Sequence, residues 1–129
     1  MITRIDHVAI TVEDLDRTLD FYGRVLNAAL EVSHVIDGAV AVLQLRIGQT
    51  LINVHRQGHS HPLIASQPRP GAADLCFAWE GSIEAASRMV SDGGATIIEG
   101  PVERTGSQGN GISIYFRDPD GNLLELLAT

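Results

Sequence analysis

Between Ser113 and Leu126 an apolar, β-branched and aromatic run meets Asp118-Pro119-Asp120-Gly121 and resumes at once as Asn122-Leu123-Leu124-Glu125-Leu126. Proline presets φ and glycine accepts a positive φ, so this pattern predicts a tight turn between two antiparallel strands. Side chains alternate along a strand with period two, which puts Leu123, Glu125 and Leu127 on one face. Glu125 is then an ionisable group in an otherwise apolar strand. Burying a carboxylate costs several kcal/mol unless a cation, a metal or a hydrogen-bond donor meets it.

The rest of the chain reads as a β-α-β-β-β unit met twice. Ile5 to Val12 is a strand, and Glu13-Asp14-Leu15-Asp16 opens a helix with acidic residues where the macrodipole favours them. Leu15, Leu19, Tyr22 and Leu26 form its core stripe, with Phe21 also inward and Asn27 at the C-terminal cap. Strands follow over Leu30 to Ile36, Val40 to Ile47 and Thr50 to His55, joined by Asp37-Gly38 and Gly48-Gln49 turns. Gln57 to Gly71, with Pro62, Pro68 and Pro70, reads as a linker or long loop. The pattern then restarts: a strand over Ala73 to Trp79 and a helix over Ser82 to Asp92 capped by Ser82 and closed by Gly93-Gly94. A strand over Ala95 to Glu99, a polar loop from Gly100 to Gly111 and the final hairpin complete it.

This is an α+β expectation: one domain over residues 1–129, with a first module over 1–56, a linker over 57–71 and a second module over 72–129. Matching the halves sets His7 against Asp74 and Asn53 against Glu125. Duplicated modules packed about a pseudo-two-fold axis would aim these four positions at one another.

Composition narrows function mainly by exclusion. A formal net charge of -7 argues against nucleic-acid binding, whose affinity comes from Lys and Arg on phosphates. The single cysteine forbids an intrachain disulfide and fits a reducing cytoplasm. No apolar run is long enough to span a bilayer, and charge occupies the place of a signal peptide's apolar stretch. A cytoplasmic protein without membrane or nucleic-acid partners is expected. Phosphate-loop, dinucleotide, nucleophile-elbow and paired-cysteine motifs are absent.

On Ile5-Asp6-His7-Val8-Ala9-Ile10-Thr11-Val12-Glu13-Asp14-Leu15, Phe21-Tyr22-Gly23-Arg24-Val25-Leu26 and Phe116-Arg117-Asp118-Pro119-Asp120-Gly121-Asn122-Leu123-Leu124-Glu125, the chain resembles the vicinal oxygen chelate superfamily of glyoxalases, bleomycin-resistance proteins and dioxygenases. Gly100 to Gly106 and Ser113 to Pro119 are most similar to its glyoxalase-domain-containing protein 5 and virulence-associated subgroup. The resemblance implies paired βαβββ modules curled into a cup, usually holding a divalent metal, with a homodimer as the expected assembly. His7 matches the first-strand ligand and Glu125 the last-strand ligand; Asp74 stands where the family more often has His. Asn53 stands where glyoxalase I has Glu, and His55, two residues on, faces the same way.

His7, His55, Asp74 and Glu125 are therefore the expected ligands of Zn, Ni, Mn, Fe or Co, since mixed N/O donors suit all of these. The other reading of His7 and Glu125 is a hydrogen-bonded pair in a polar core. The implied activity is lactoylglutathione-lyase-like, on a small substrate bound through adjacent oxygens, with Glu125 or Asp74 as the base and a thiol such as glutathione as a candidate cosubstrate. Extradiol-dioxygenase-like and thiol-transferase-like chemistry, or metal-free drug binding, are the alternatives on the same scaffold. Arg104 is expected to clamp a substrate carboxylate or phosphate, with Asn53 and Cys76 lining the same cavity. His59 and His61 read as a lid, an adventitious metal site or, most simply, solvated loop histidines.

Overall fold

The computed structural model describes residues 1–129. Its elements run β1 (His7–Val12), α1 (Leu15–Leu26), β2 (Ala29–Ile36), β3 (Ala39–Ile47) and β4 (Thr50–Arg56), then β5 (Asp74–Trp79), α2 (Ile83–Asp92), β6 (Glu99–Gly106), β7 (Gly109–Arg117) and β8 (Leu123–Ala128). Local chemistry sets the helix ends. Asp14 accepts from the Arg17 N–H at 2.9 Å to start α1, and Asn27 turns left-handed at φ 54° to stop it. Ser82 accepts from the Ala85 N–H at 3.2 Å to start α2.

The two modules form separate four-stranded mixed sheets, ordered β1-β4-β3-β2 and β5-β8-β7-β6. In each, the first and last strands pair in parallel, with His7 opposite Leu51 and Asp74 opposite Leu123. The repeat read from the sequence is thus a repeat of register. Two residues further on, Asn53 lies beside Ala9 and Glu125 beside Cys76.

One strand departs from expectation. Residues 95–98 are not a strand, and β6 instead occupies the polar Glu99–Gly106 segment that hydropathy assigns to a loop. It is an edge strand, mostly exposed, so its ladder to β7 rests on backbone hydrogen bonds that polar side chains do not oppose. A register shift between Glu99 and Val102 further blurs its pattern.

The core is one cluster crossing both modules. Ile10, Val12, Tyr22, Val25, Leu45, Ile52 and Val54 of the first pack with Val90, Ile114, Phe116, Leu124 and Leu126 of the second. Each helix lies on its own sheet and the two helices touch, so the core occupies the helix-bearing faces. The opposite faces are left open: in β1, Ile10 and Val12 are buried whereas His7 and Ala9 are exposed.

The β7–β8 turn ties the modules together. Asp118, 5% exposed, accepts from the Tyr22 hydroxyl at 2.7 Å, the Asn122 amide at 2.7 Å and the backbone N–H groups of Asp120 and Asn122. Asp120 accepts from the Glu13 N–H at 3.0 Å and from Arg17 at 3.2 Å. Burial, with Asp118 alongside, pushes the Tyr22 phenol far above its ordinary range, so it stays a donor at any working pH. Tyr22→Phe is expected to cost about 1–2 kcal/mol in urea unfolding, since Asp118 keeps its other donors. Asp118→Ala is expected to cost about 3 kcal/mol or more, because it strands every donor at once.

Candidate functional site

On the open face of the first sheet, β1 and β4 carry His7, Thr11, Asn53 and His55, and β3 adds Gln44 and Arg46. His7 Nδ1 lies 2.9 Å from the Asp6 carboxylate, which only accepts, so the proton sits on Nδ1 and Nε2 keeps a lone pair. The His7 hydrogen bond, ahead of the charges of Arg4 and His7, holds the Asp6 carboxyl below its usual range. Asn53 Oδ1 is buried without a donor, which costs about 1–3 kcal/mol and leaves this face unsatisfied in the single chain. Thr11 is the residue opposite His55, so His7 lies about 13 Å further along the sheet and cannot share one ion with it.

The open face of the second sheet carries Asp74 and Cys76 from β5, Glu125 from β8, Ser113 and Tyr115 from β7, and Arg104 from β6. Asp74 and Glu125 are diagonal neighbours, about 8 Å apart at Cα and both able to reach one ligand. The fully buried Ser113 donates its hydroxyl to Glu125 at 2.5 Å and fixes that carboxylate's direction. Arg104 donates through Nε to the Tyr115 hydroxyl at 2.9 Å, with its guanidinium 5.5 Å from the ring centroid. A concavity of about 390 Å³ opens beside Arg104, lined by Glu103, Thr105, Asn110, Gly111 and Ile112. Glu125 and Cys76 are not part of its wall.

The expectation that His7, Asn53, Asp74 and Glu125 aim at one another is not met within one chain. Their two faces lie on the sides of the sheets away from the shared core, and no three His, Cys, Asp or Glu side chains come together as a metal-ligating group. The back-to-back packing of modules through their helices is the physical reason. Ser113 and Tyr115 were not among the residues singled out from the sequence, although their period-two alternation with Ile114 and Phe116 marks them as facing Glu125. Asp6 and His59 matter only through contacts that spacing does not predict.

Duplicated βαβββ modules, each with a helix on one face and polar side chains on the other, define a class of proteins whose functional groups stand on open sheets. The chain belongs to the glyoxalase/bleomycin resistance protein/dioxygenase superfamily, whose family model matches residues 4–126. It is 42% identical over 122 residues to the glyoxalase domain-containing protein RDO1 of Mycosarcoma maydis, covering 95% of this chain and 66% of that protein, so it spans just under two thirds of that relative. It is 42% identical to virulence protein STM3117 of Salmonella typhimurium, covering 98% of this chain and 84% of that one. The crystal structure of STM3117 superposes with a TM-score of 0.87 over 99% of this chain and 98% of that one, at 41% identity. The fosfomycin resistance protein FosX of Listeria monocytogenes, solved with Mn(II) and sulfate, superposes with a TM-score of 0.66 at 25% identity, over 99% of this chain and 91% of that one. No helix is long and apolar enough to cross a membrane.

Cys76 is poised against reaction. Burial, then the charges of Glu125 and Asp74, push its thiol up to about 11, so it stays protonated near neutral pH. Alkylation by iodoacetamide at pH 8 is expected to be slow in the native protein. Glu125→Gln should speed it by less than about tenfold, because burial remains the larger cause.

Proposed function

We propose that this protein is a metal-dependent enzyme of the glyoxalase type, acting on a small substrate through adjacent oxygens, and that its site forms between two copies of the chain. The observation that carries this reading is the pair of open polar faces, complementary in their donors and turned away from the shared core. His7 offers one Nε2 lone pair, and Asp74 and Glu125 offer carboxylates, a mixed set suited to Mn, Fe, Co, Ni or Zn. Within one chain these residues do not fit a metal. A homodimer that sets the first module of one copy against the second module of the other would bring His7 of one to Asp74 and Glu125 of the other. The relative FosX, solved with Mn(II), supports a divalent ion.

A bound divalent ion would supply Lewis-acid polarisation of the substrate oxygens. The remaining steps belong to side chains. Asp6 orients His7, and Ser113 orients Glu125. Arg104, braced on Tyr115, receives an anionic group of the substrate. Asp74 or Glu125, whichever carboxylate is free, takes the proton from the substrate carbon. Asn53 and the protonated Cys76 line the two walls. A metal-free binding protein is the second reading, favoured by the lack of any three-ligand group in a single chain.

The test is metal content by mass spectrometry on tag-free protein. His7→Ala and Glu125→Gln are each expected to lose the ion. Co-expressed, the two variants should recover about a quarter of wild-type metal, because half the dimers are mixed and each mixed dimer keeps one intact site. No metal in the wild type after incubation with Mn, Fe, Co, Ni and Zn would favour the binding protein. Loss in the variants without recovery on mixing would place the site within one chain.

A further inference from the structure

Three histidines form a chain of hydrogen bonds at the end of β4. His55 Nδ1 lies 2.7 Å from His59 Nε2, with the ring centroids 5.0 Å apart and the ring planes 28° from parallel. His59 Nδ1 accepts from the His61 backbone N–H at 3.1 Å, and His61 Nδ1 accepts from the Leu63 N–H at 3.0 Å. Ser60 donates to Asp37 at 2.5 Å and pins the 57–64 strap to the β2–β3 turn.

A backbone N–H can only donate, so His59 Nδ1 carries no proton. The His59 proton is therefore on Nε2 and points at His55 Nδ1, which must accept. That leaves the His55 proton on Nε2, the nitrogen not engaged by the strap. The result is the reverse of His7, whose Nδ1–H donates to Asp6 and whose Nε2 lone pair is free. Two histidines on one sheet face thus present opposite chemistry: one an electron pair, the other a proton. A metal between His55 and His59 would need the His59 proton on Nδ1, head-on to the His61 N–H.

We propose that the 57–64 strap holds His55 as a neutral Nε2–H donor on the open face, where it offers that proton to an acceptor oxygen about 13 Å along the sheet from His7 and not to a metal ion. Burial, then the charges His59 and His61 would carry, hold His55 below the usual histidine range and keep it neutral near pH 7. Asp37 and Arg56 are the charged residues near the strap and the end of β4; neither is hydrogen-bonded to a ring of the relay. His59 is a positioning residue that acts through His55. The ligand half of the proposal rests on the site proposed above; the tautomer does not.

Long-range proton–nitrogen NMR on the full chain with nitrogen-15 histidine tests it. At neutral pH, His55, His59 and His61 are expected as Nε2–H tautomers and His7 as the Nδ1–H tautomer. Zinc alone should shift His7 and leave the His55 Nε2 proton in place. Oxalate, which carries only acceptor oxygens, should shift the His55 Nε2–H signal. In His59→Ala the His55 tautomers should mix and oxalate affinity should fall about fivefold, the loss of one hydrogen bond. A proton on His55 Nδ1, or loss of its Nε2 proton to zinc, would overturn the proposal. A His55 signal indifferent to oxalate would overturn its ligand half. Failure of the mixed variants to recover metal would not move these tautomers, so the two readings fail separately.

Discussion

The carboxylate of Asp118 is the interaction on which the rest depends. It gathers donors from its own turn and from Tyr22 in the other module, and so joins a local hairpin to a global arrangement. Asp118 is buried, so its donors converge on one desolvated carboxylate, which makes the junction directional as well as strong. Asp120 extends the clamp to the start of α1. These hydrogen bonds fix α1 against the β7–β8 turn of the other module.

From that junction follows the division of labour between faces. Apolar residues on one side of every strand merge into a common core, and the alternate residues are left for chemistry. The same register in both modules, with Asn53 and Glu125 at corresponding points, puts polar side chains on one surface of each module.

Much of this was legible in the residues, and what was not has physical causes. The helices could be read because Asp14, Ser82 and Asn27 cap them with side chains or conformations specific to those residue types. The last hairpin could be read because proline and glycine leave its turn few options. β6 could not, since an edge strand held by backbone bonds puts little demand on side chains. Period two put His7, Asn53, His55, Asp74, Cys76 and Glu125 on the strands where the structure has them, whereas Arg104 was read in a loop and lies in β6. The expected convergence of His7, Asn53, Asp74 and Glu125 failed because which face of a module becomes shared core depends on tertiary packing. The His55 relay lies further from reach: it exists only because the strap returns to β4, and no spacing announces where a proton will sit.

The separation of core from open faces carries an evolutionary consequence. Residues that determine folding and residues that determine chemistry alternate one by one along the same strands, yet they touch different neighbours. Substitutions at His7, Asn53, Asp74 or Cys76 exchange one exposed or half-exposed group for another and leave the packed side untouched. A scaffold of this kind can change its reaction while its stability stands nearly still. Divergent activities on one architecture are then the natural outcome of its geometry.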